Sequence, residues 1–160
     1  MDYTVSDDRL ALLQANFFEF SFEGRQPDRA VFDTIVNPVE YHLIAGNYNW
    51  DDGAEVLTWI IESPLCDKGT ALMIFWRAQP DFYTQFLSVE EADYEAEVYQ
   101  LVRAIMSKWE AGFYQTSHIA YDPTADPMAG DIAAHHPKEK WSIPTYLKQP
   151  IVGELEVIFD

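Results

Sequence analysis

Cys66 is the single thiol of the chain, and His42, His118, His135 and His136 are its only imidazoles. A nucleophilic cysteine needs a neighbouring base or positive charge to become a thiolate. The residue that follows is Asp67, whose charge keeps the proton on sulfur, so Cys66 reads as a small buried side chain ahead of a helix. His135-His136-Pro137 lacks the i, i+4 spacing that aims two imidazoles at one metal, because adjacent residues point apart. Asp122, Asp126 and Asp131 lack the alternate-residue spacing and closing Glu of a calcium loop. A small hydrolase or cation-dependent enzyme built from the Asp and His residues of the 115–137 loop is retained as the alternative reading. Asp51-Asp52-Gly53 offers paired carboxylates for acid–base work, yet Asp52 is also placed to cap the next helix, with Gly53 easing the turn. The chain has no Gly-x-Ser-x-Gly, no His-Glu-x-x-His and no glycine-rich phosphate or dinucleotide loop. The reading is therefore non-enzymatic, with no catalytic residue, no metal ligand and no cofactor assigned.

Charge gives a second kind of chemistry. Ten Lys and Arg stand against 27 Asp and Glu, a formal net charge of −17. Such a chain is repelled by phosphate backbones and by anionic lipid, which argues against nucleic acid and membrane as partners. The acids are also unevenly placed. Between Arg29 and Lys68 there is no base, while Asp33, Glu40, Asp51, Asp52, Glu55, Glu62 and Asp67 fall in that window. Between Arg77 and Arg103 the same holds, with Asp81, Glu90, Glu91, Asp93, Glu95 and Glu97. Like charges three and four residues apart on a helix destabilise it slightly. Such windows mark either a solvated face or a surface complementary to a basic protein. Asp51, Asp52, Glu90, Asp93 and Glu97 are the candidate partner contacts.

The elements that must position these residues are helical. Ser6 caps a predicted helix over 7–22 that Gly24 ends, with Leu10, Leu13 and Phe17 at helical spacing. A short helix over 28–36 follows, and Asn37-Pro38 opens another to about Gly46. The segments 54–62 and 71–78 are apolar nearly all round and belong at the centre of the core. Ser88 and Glu91 fit a capping box, from which one long helix is expected to reach Ala111 before Gly112 stops it. On that helix Glu90, Asp93 and Glu97 would share a flank. Five of the nine prolines lie from Pro123 to Pro150, so 113–160 reads as an irregular packed extension. Leu155, Val157 and Phe159 alternate with Glu154, Glu156 and Ile158, which predicts a terminal strand over 151–159, paired with a second around 115–121.

The central segment resembles a known family. Asn49-Trp50-Asp51-Asp52-Gly53, then Trp59-Ile60-Ile61, then Cys66-Asp67-Lys68-Gly69-Thr70-Ala71-Leu72 and Phe75-Trp76 are similar to a bacterial domain of unknown function, DUF family 4274, over about residues 38–80. The resemblance implies a helical domain and carries no activity. It assigns Gly53 and Gly69 to turns, Trp50, Trp59 and Trp76 to packing, and Asp52 and Asp67 to caps.

The expectation is one domain over 1–160, mainly α. It comprises a compact multi-helix body (1–112) and the extension (113–160), with one small hairpin or terminal strand pair. Its N-terminus opens acidic and it has no long apolar run, so no leader or membrane span is expected and the location is read as cytoplasmic. The function expected is a protein-binding module, an immunity or inhibitor protein of toxin–antitoxin type that occludes a basic toxin or other basic partner through an acidic face.

Overall fold

The computed structural model describes residues 2–159. Its α-helices in chain order are α1 (Asp7–Leu13), α2 (Arg29–Phe32), α3 (Pro38–Gly46), α4 (Glu55–Glu62), α5 (Lys68–Arg77), α6 (Pro80–Tyr83), α7 (Val89–Ala92) and α8 (Ala96–Glu110). Side-chain caps start most of them. Ser6, Asp28, Asn37, Asp67 and Ser88 each accept a backbone N–H from the first turn of α1, α2, α3, α5 and α7, satisfying donors that have no partner within the helix. Among the described residues no helix is long and apolar enough to cross a membrane.

Helix α5 is the axis of the core. Every side chain from Gly69 to Trp76 is buried, and α3 and α8 pack against it. Asp67, itself fully buried, does more than cap it. One carboxylate oxygen accepts the Gly69 N–H at 2.9 Å and the Ile119 N–H at 3.2 Å. The other accepts the His118 N–H at 2.7 Å and the Thr116 hydroxyl at 2.9 Å. The Lys68 N–H adds a bond to the Thr116 carbonyl at 2.9 Å. The start of α5 is thereby fastened to the 116–119 segment. Gly69 is required by the same closeness, because a Cβ there would strike the Ile119 carbonyl oxygen.

The extension is bound to the body by single directed contacts. The indole N–H of the fully buried Trp76 donates to the Leu147 carbonyl at 2.7 Å, and that of Trp141 to the Phe86 carbonyl at 2.8 Å. Tyr114, Tyr121 and Leu147 join the same hydrophobic cluster as the helices.

Four expectations need correction. The first helix is α only over Asp7–Leu13. It loosens into a π-turn at Gln14–Phe18 and a 3-10 turn at Phe20–Glu23, before Gly24 ends it in a left-handed conformation. The second helix is a single turn, Arg29–Phe32. The long helix over 88–111 is broken. After α7, Asp93 adopts φ 52°, ψ −110°, a 3-10 turn covers Asp93–Glu95, and α8 starts at Ala96. Ser88 does cap Glu91, but the Glu91 carboxylate pairs with Lys140 rather than closing a capping box. The terminal strand does not form either. Ile119 meets Leu155 in a parallel bridge and Tyr121 meets Ile151 in an antiparallel one. The two orientations cannot belong to one ladder, so no strand extends from them.

Two outcomes follow for stability. Asp67→Asn keeps the volume but turns an NH2 toward groups that donate, and should lower unfolding free energy by about 3 kcal/mol in urea titration. Hydrogen exchange at the amides of His118 and Ile119 should accelerate with it. At Asp93 a non-glycine residue holds a strained left-handed backbone, so Asp93→Gly should stabilise the fold by about 1 kcal/mol in the same assay.

Candidate functional site

The two base-free windows meet at the start of α4. The turn Trp50–Asp52 is capped by Asn49, whose side chain accepts the Asp51 N–H at 3.1 Å. Asp52 does not cap α4. Its Oδ1 accepts from the Ser21 hydroxyl and from Asn49 at 3.4 Å, while its Oδ2 is buried without a partner. The donor at the start of α4, the Ala54 N–H, is taken by Glu97 from α8. Tyr48 donates its hydroxyl to the Gly53 carbonyl at 2.5 Å. Burial raises the pKa of this phenol, and the charges of Asp52, Glu97 and Glu55 push it further up. Three carboxylates from both windows thus crowd one ring.

The charge continues along α4. Glu55 and Glu62 stand seven residues apart, two turns on one side of the helix. Between α4 and α8 lies a groove of about 360 Å³ with Glu62 and Glu97 among its walls. Glu62 also lines a second cavity of about 300 Å³ beyond α4, with Asp33 and Trp59. Of the candidate contacts, Asp51, Asp52 and Glu97 are therefore brought to one region. Glu90 lies on α7 and Asp93 at the break, so they share no helix flank with Glu97. Glu55 and Glu62 were missing from the sequence-based set, although their spacing on one helical side was readable. Among the described residues no ion pair involves Asp51, Asp52, Glu55, Glu62 or Glu97. Two exposed aromatic side chains lie near these acids in sequence. Phe22, next to Ser21, is 81% exposed, and Tyr94, three residues before Glu97, is 97% exposed.

A second polar cluster is internal. His42 Nδ1 and the Thr70 hydroxyl lie 2.9 Å apart, both side chains buried. Such a pair resembles a nucleophile and base, but Thr70 is closed to solvent and His42 is a weak base. Burial first, and then the nearby Arg77 charge, depress the His42 pKa to about 3, with Asp126 only partly offsetting them. Arg77 grips Asp126 at 2.8 and 3.2 Å and the Gly46 carbonyl at 2.9 Å, while the Tyr121 hydroxyl donates to Asp126 at 2.8 Å. Burial raises the Asp126 pKa, and the hydrogen bonds from Arg77, Met128 and Tyr121 outweigh it, leaving it lowered. The cluster ties α3 and α5 to the 121–126 segment.

The 115–137 loop does not gather its Asp and His residues. His118 meets Glu154 at 2.5 Å, His135 meets Glu139 at 3.3 Å, and His136 accepts the Lys138 N–H at 3.0 Å. Among the described residues no group of three or more His, Cys, Asp or Glu is placed to hold a metal ion. Cys66 is buried, its thiol 3.6 Å from the Asp67 carbonyl, and its pKa is raised by burial and then by the Asp67 charge. Trp50 is half-buried, edge-on to Tyr48 at 6.4 Å.

The sequence model of a family described as Domain of unknown function (DUF4274) matches residues 36–126. That stretch holds the Asp67 brace, the acidic turn and the His42 cluster. No curated protein and no solved structure matches the chain.

His42 sets an acid limit on stability. Folded, it binds a proton only near pH 3, whereas its ordinary value is 6.5. Below that value the unfolded chain therefore takes up a proton that the folded one refuses. The contribution is whole above about pH 6.5 and declines as pH falls, at up to about 1.4 kcal/mol per pH unit. Urea midpoints measured from pH 7 to 5 should fall for the native protein and fall less for His42→Gln.

Proposed function

We propose that this chain, which belongs to the DUF4274 family, is a non-enzymatic binding module whose acidic face takes a basic protein. One observation carries the reading. Carboxylates from two stretches free of Lys and Arg lie together around the 50–54 turn and the start of α8, and none of Asp51, Asp52, Glu55 and Glu97 is in an ion pair among the described residues. Crowded acids repel one another by a few tenths of a kcal/mol per pair, and a basic surface docking there relieves that repulsion. The field of the same acids speeds encounter and fixes orientation. Asp52 Oδ2, buried and unpartnered, lacks the donor that such an oxygen needs.

The exposed aromatics complete an interface of ordinary anatomy. Phe22 and Tyr94 supply apolar anchors, and Asp51, Asp52, Glu55, Glu62 and Glu97 supply the acidic surround. The partner fitting this surface is a basic toxin in the same cytoplasm, held by an inhibitor of the immunity type that covers its active site. Neither nucleic acid nor a membrane is required, and the mechanism is occlusion.

The test uses tagged protein to capture its partner from native lysate, followed by association kinetics with that partner. Asp51→Lys, Glu55→Lys and Glu62→Lys combined should slow association at low salt by about tenfold or more and flatten its salt dependence. Stability should stay within about 0.5 kcal/mol of the native protein. Unaltered kinetics in a stably folded variant would remove this face from the interface.

A further inference from the structure

The cavity beyond α4 carries a feature that the acidic face alone does not explain. Its inner wall is aromatic. Phe32 and Tyr41 stack at 5.2 Å with 9° between their planes, and Trp59 meets Phe32 edge-on at 5.3 Å. Its rim is acidic, with Asp33 on one side and Glu62 on the other. Rings with carboxylates around them attract an organic cation, through the ring quadrupole and through charge.

One cation is already there, and it belongs to the chain. The Arg29 guanidinium carbon lies 5.3 Å from the Phe32 ring centre and 5.0 Å from that of Trp59, and Arg29 Nε donates to Asp33 at 3.0 Å. This occupant is loosely held. It sits at the first position of the four-residue helix α2, and both partners of its ion pair are more than half exposed. An exposed pair of this kind is worth little and can open to water. Among the described residues Glu62 is in no ion pair, so Arg29 pairs with only one of the two wall carboxylates. Glu62 also lines the groove between α4 and α8, so one carboxylate borders both the pocket and the acidic face.

We infer that the Phe32–Tyr41–Trp59 pocket is a docking site for the arginine side chain of a basic protein partner, and that Arg29 is its displaceable internal occupant. The incoming guanidinium stacks on Trp59 and Phe32 where Arg29 now lies and reaches Asp33 and Glu62 together. Arg29 swings outward into solvent. That the guanidinium comes from a protein rests on the function proposed above; that the pocket takes a guanidinium rests on its own geometry.

The probe is N-acetyl-arginine amide, with the neutral isostere N-acetyl-citrulline amide as control. Both are titrated into the full chain and into Arg29→Ala and Arg29→Gln, following the Trp59 indole N–H by NMR. Arg29→Ala and Arg29→Gln should show a saturable shift with the arginine probe, at a Kd on the order of 10 mM, several-fold tighter than the native chain. Adding Asp33→Asn and Glu62→Gln should weaken it several-fold, and the citrulline probe should leave the resonance in place. Absence of a saturable shift in both folded Arg29 variants, or an equal response to the citrulline probe, overturns the assignment. A pocket that binds the probe while a variant carrying Asp51→Lys and Glu55→Lys, with Glu62 intact, associates normally would sink the proposed interface and leave this site standing. The reverse pattern would sink only the site.

Discussion

Four hydrogen bonds converge on the buried carboxylate of Asp67, and the fold hangs on them. A charge placed at zero exposure is tolerable only when donors replace water around both oxygens. Here one donor is the Gly69 N–H on the first turn of α5, and a second is the Thr116 hydroxyl across from it. The other two are backbone amides of the 118–119 segment. Because that segment then meets Leu155 and Ile151 through single bridges, the brace sets the path of the last part of the chain as well. It also brings the Ile119 carbonyl so near α5 that only glycine fits at position 69.

This interior fastening lets the surface be used for charge. The two buried side-chain ties, Asp67 to the 116–119 segment and Arg77 to Asp126, hold the extension without drawing on the acids of α4. On α8, Glu110 accepts the Tyr146 hydroxyl of the extension, and Glu97 both caps the start of α4 and faces the acidic turn. Its position explains why two windows 43 residues apart at that contact form one surface. The surface is destabilising on its own account, and its aromatic neighbours, Phe22 and Tyr94, stand in water. Both properties cost the free chain something, and a basic, partly apolar partner of the kind we propose would relieve both.

The pocket behind α4 extends the same logic to a single side chain. Arg29 shows that a guanidinium fits between the rings and the carboxylates. The matched family stretch, 36–126, supplies Tyr41, Trp59 and Glu62, whereas Arg29, Phe32 and Asp33 precede it. The occupant and the shared walls therefore come from different parts of the chain.

What the sequence determined by itself is local. The caps at Ser6, Asn37, Asp67 and Ser88 were legible, because a side-chain oxygen reaches only two or three residues ahead. The all-apolar segments of α4 and α5 were legible as core, since a helix without a polar side has to be enclosed. The acidic turn Asn49–Gly53 and the Cys-Asp-x-Gly-Thr-Ala stretch together carried the resemblance to the family that matches 36–126. Tertiary structure alone decided the rest. Asp52 yielded the cap of α4 to Glu97, a choice between two carboxylates that only packing makes. The helix expected through Asp93 broke there, and no rule of spacing announces a positive φ at an aspartate. The terminal strand dissolved into two bridges of opposite direction, because alternation in one segment does not supply a partner lying along it. The aromatic pocket joins residues 29–33 to 41 and 59–62, contacts set by where α2 lands on α4, and periodicity within either helix carries no information about that landing.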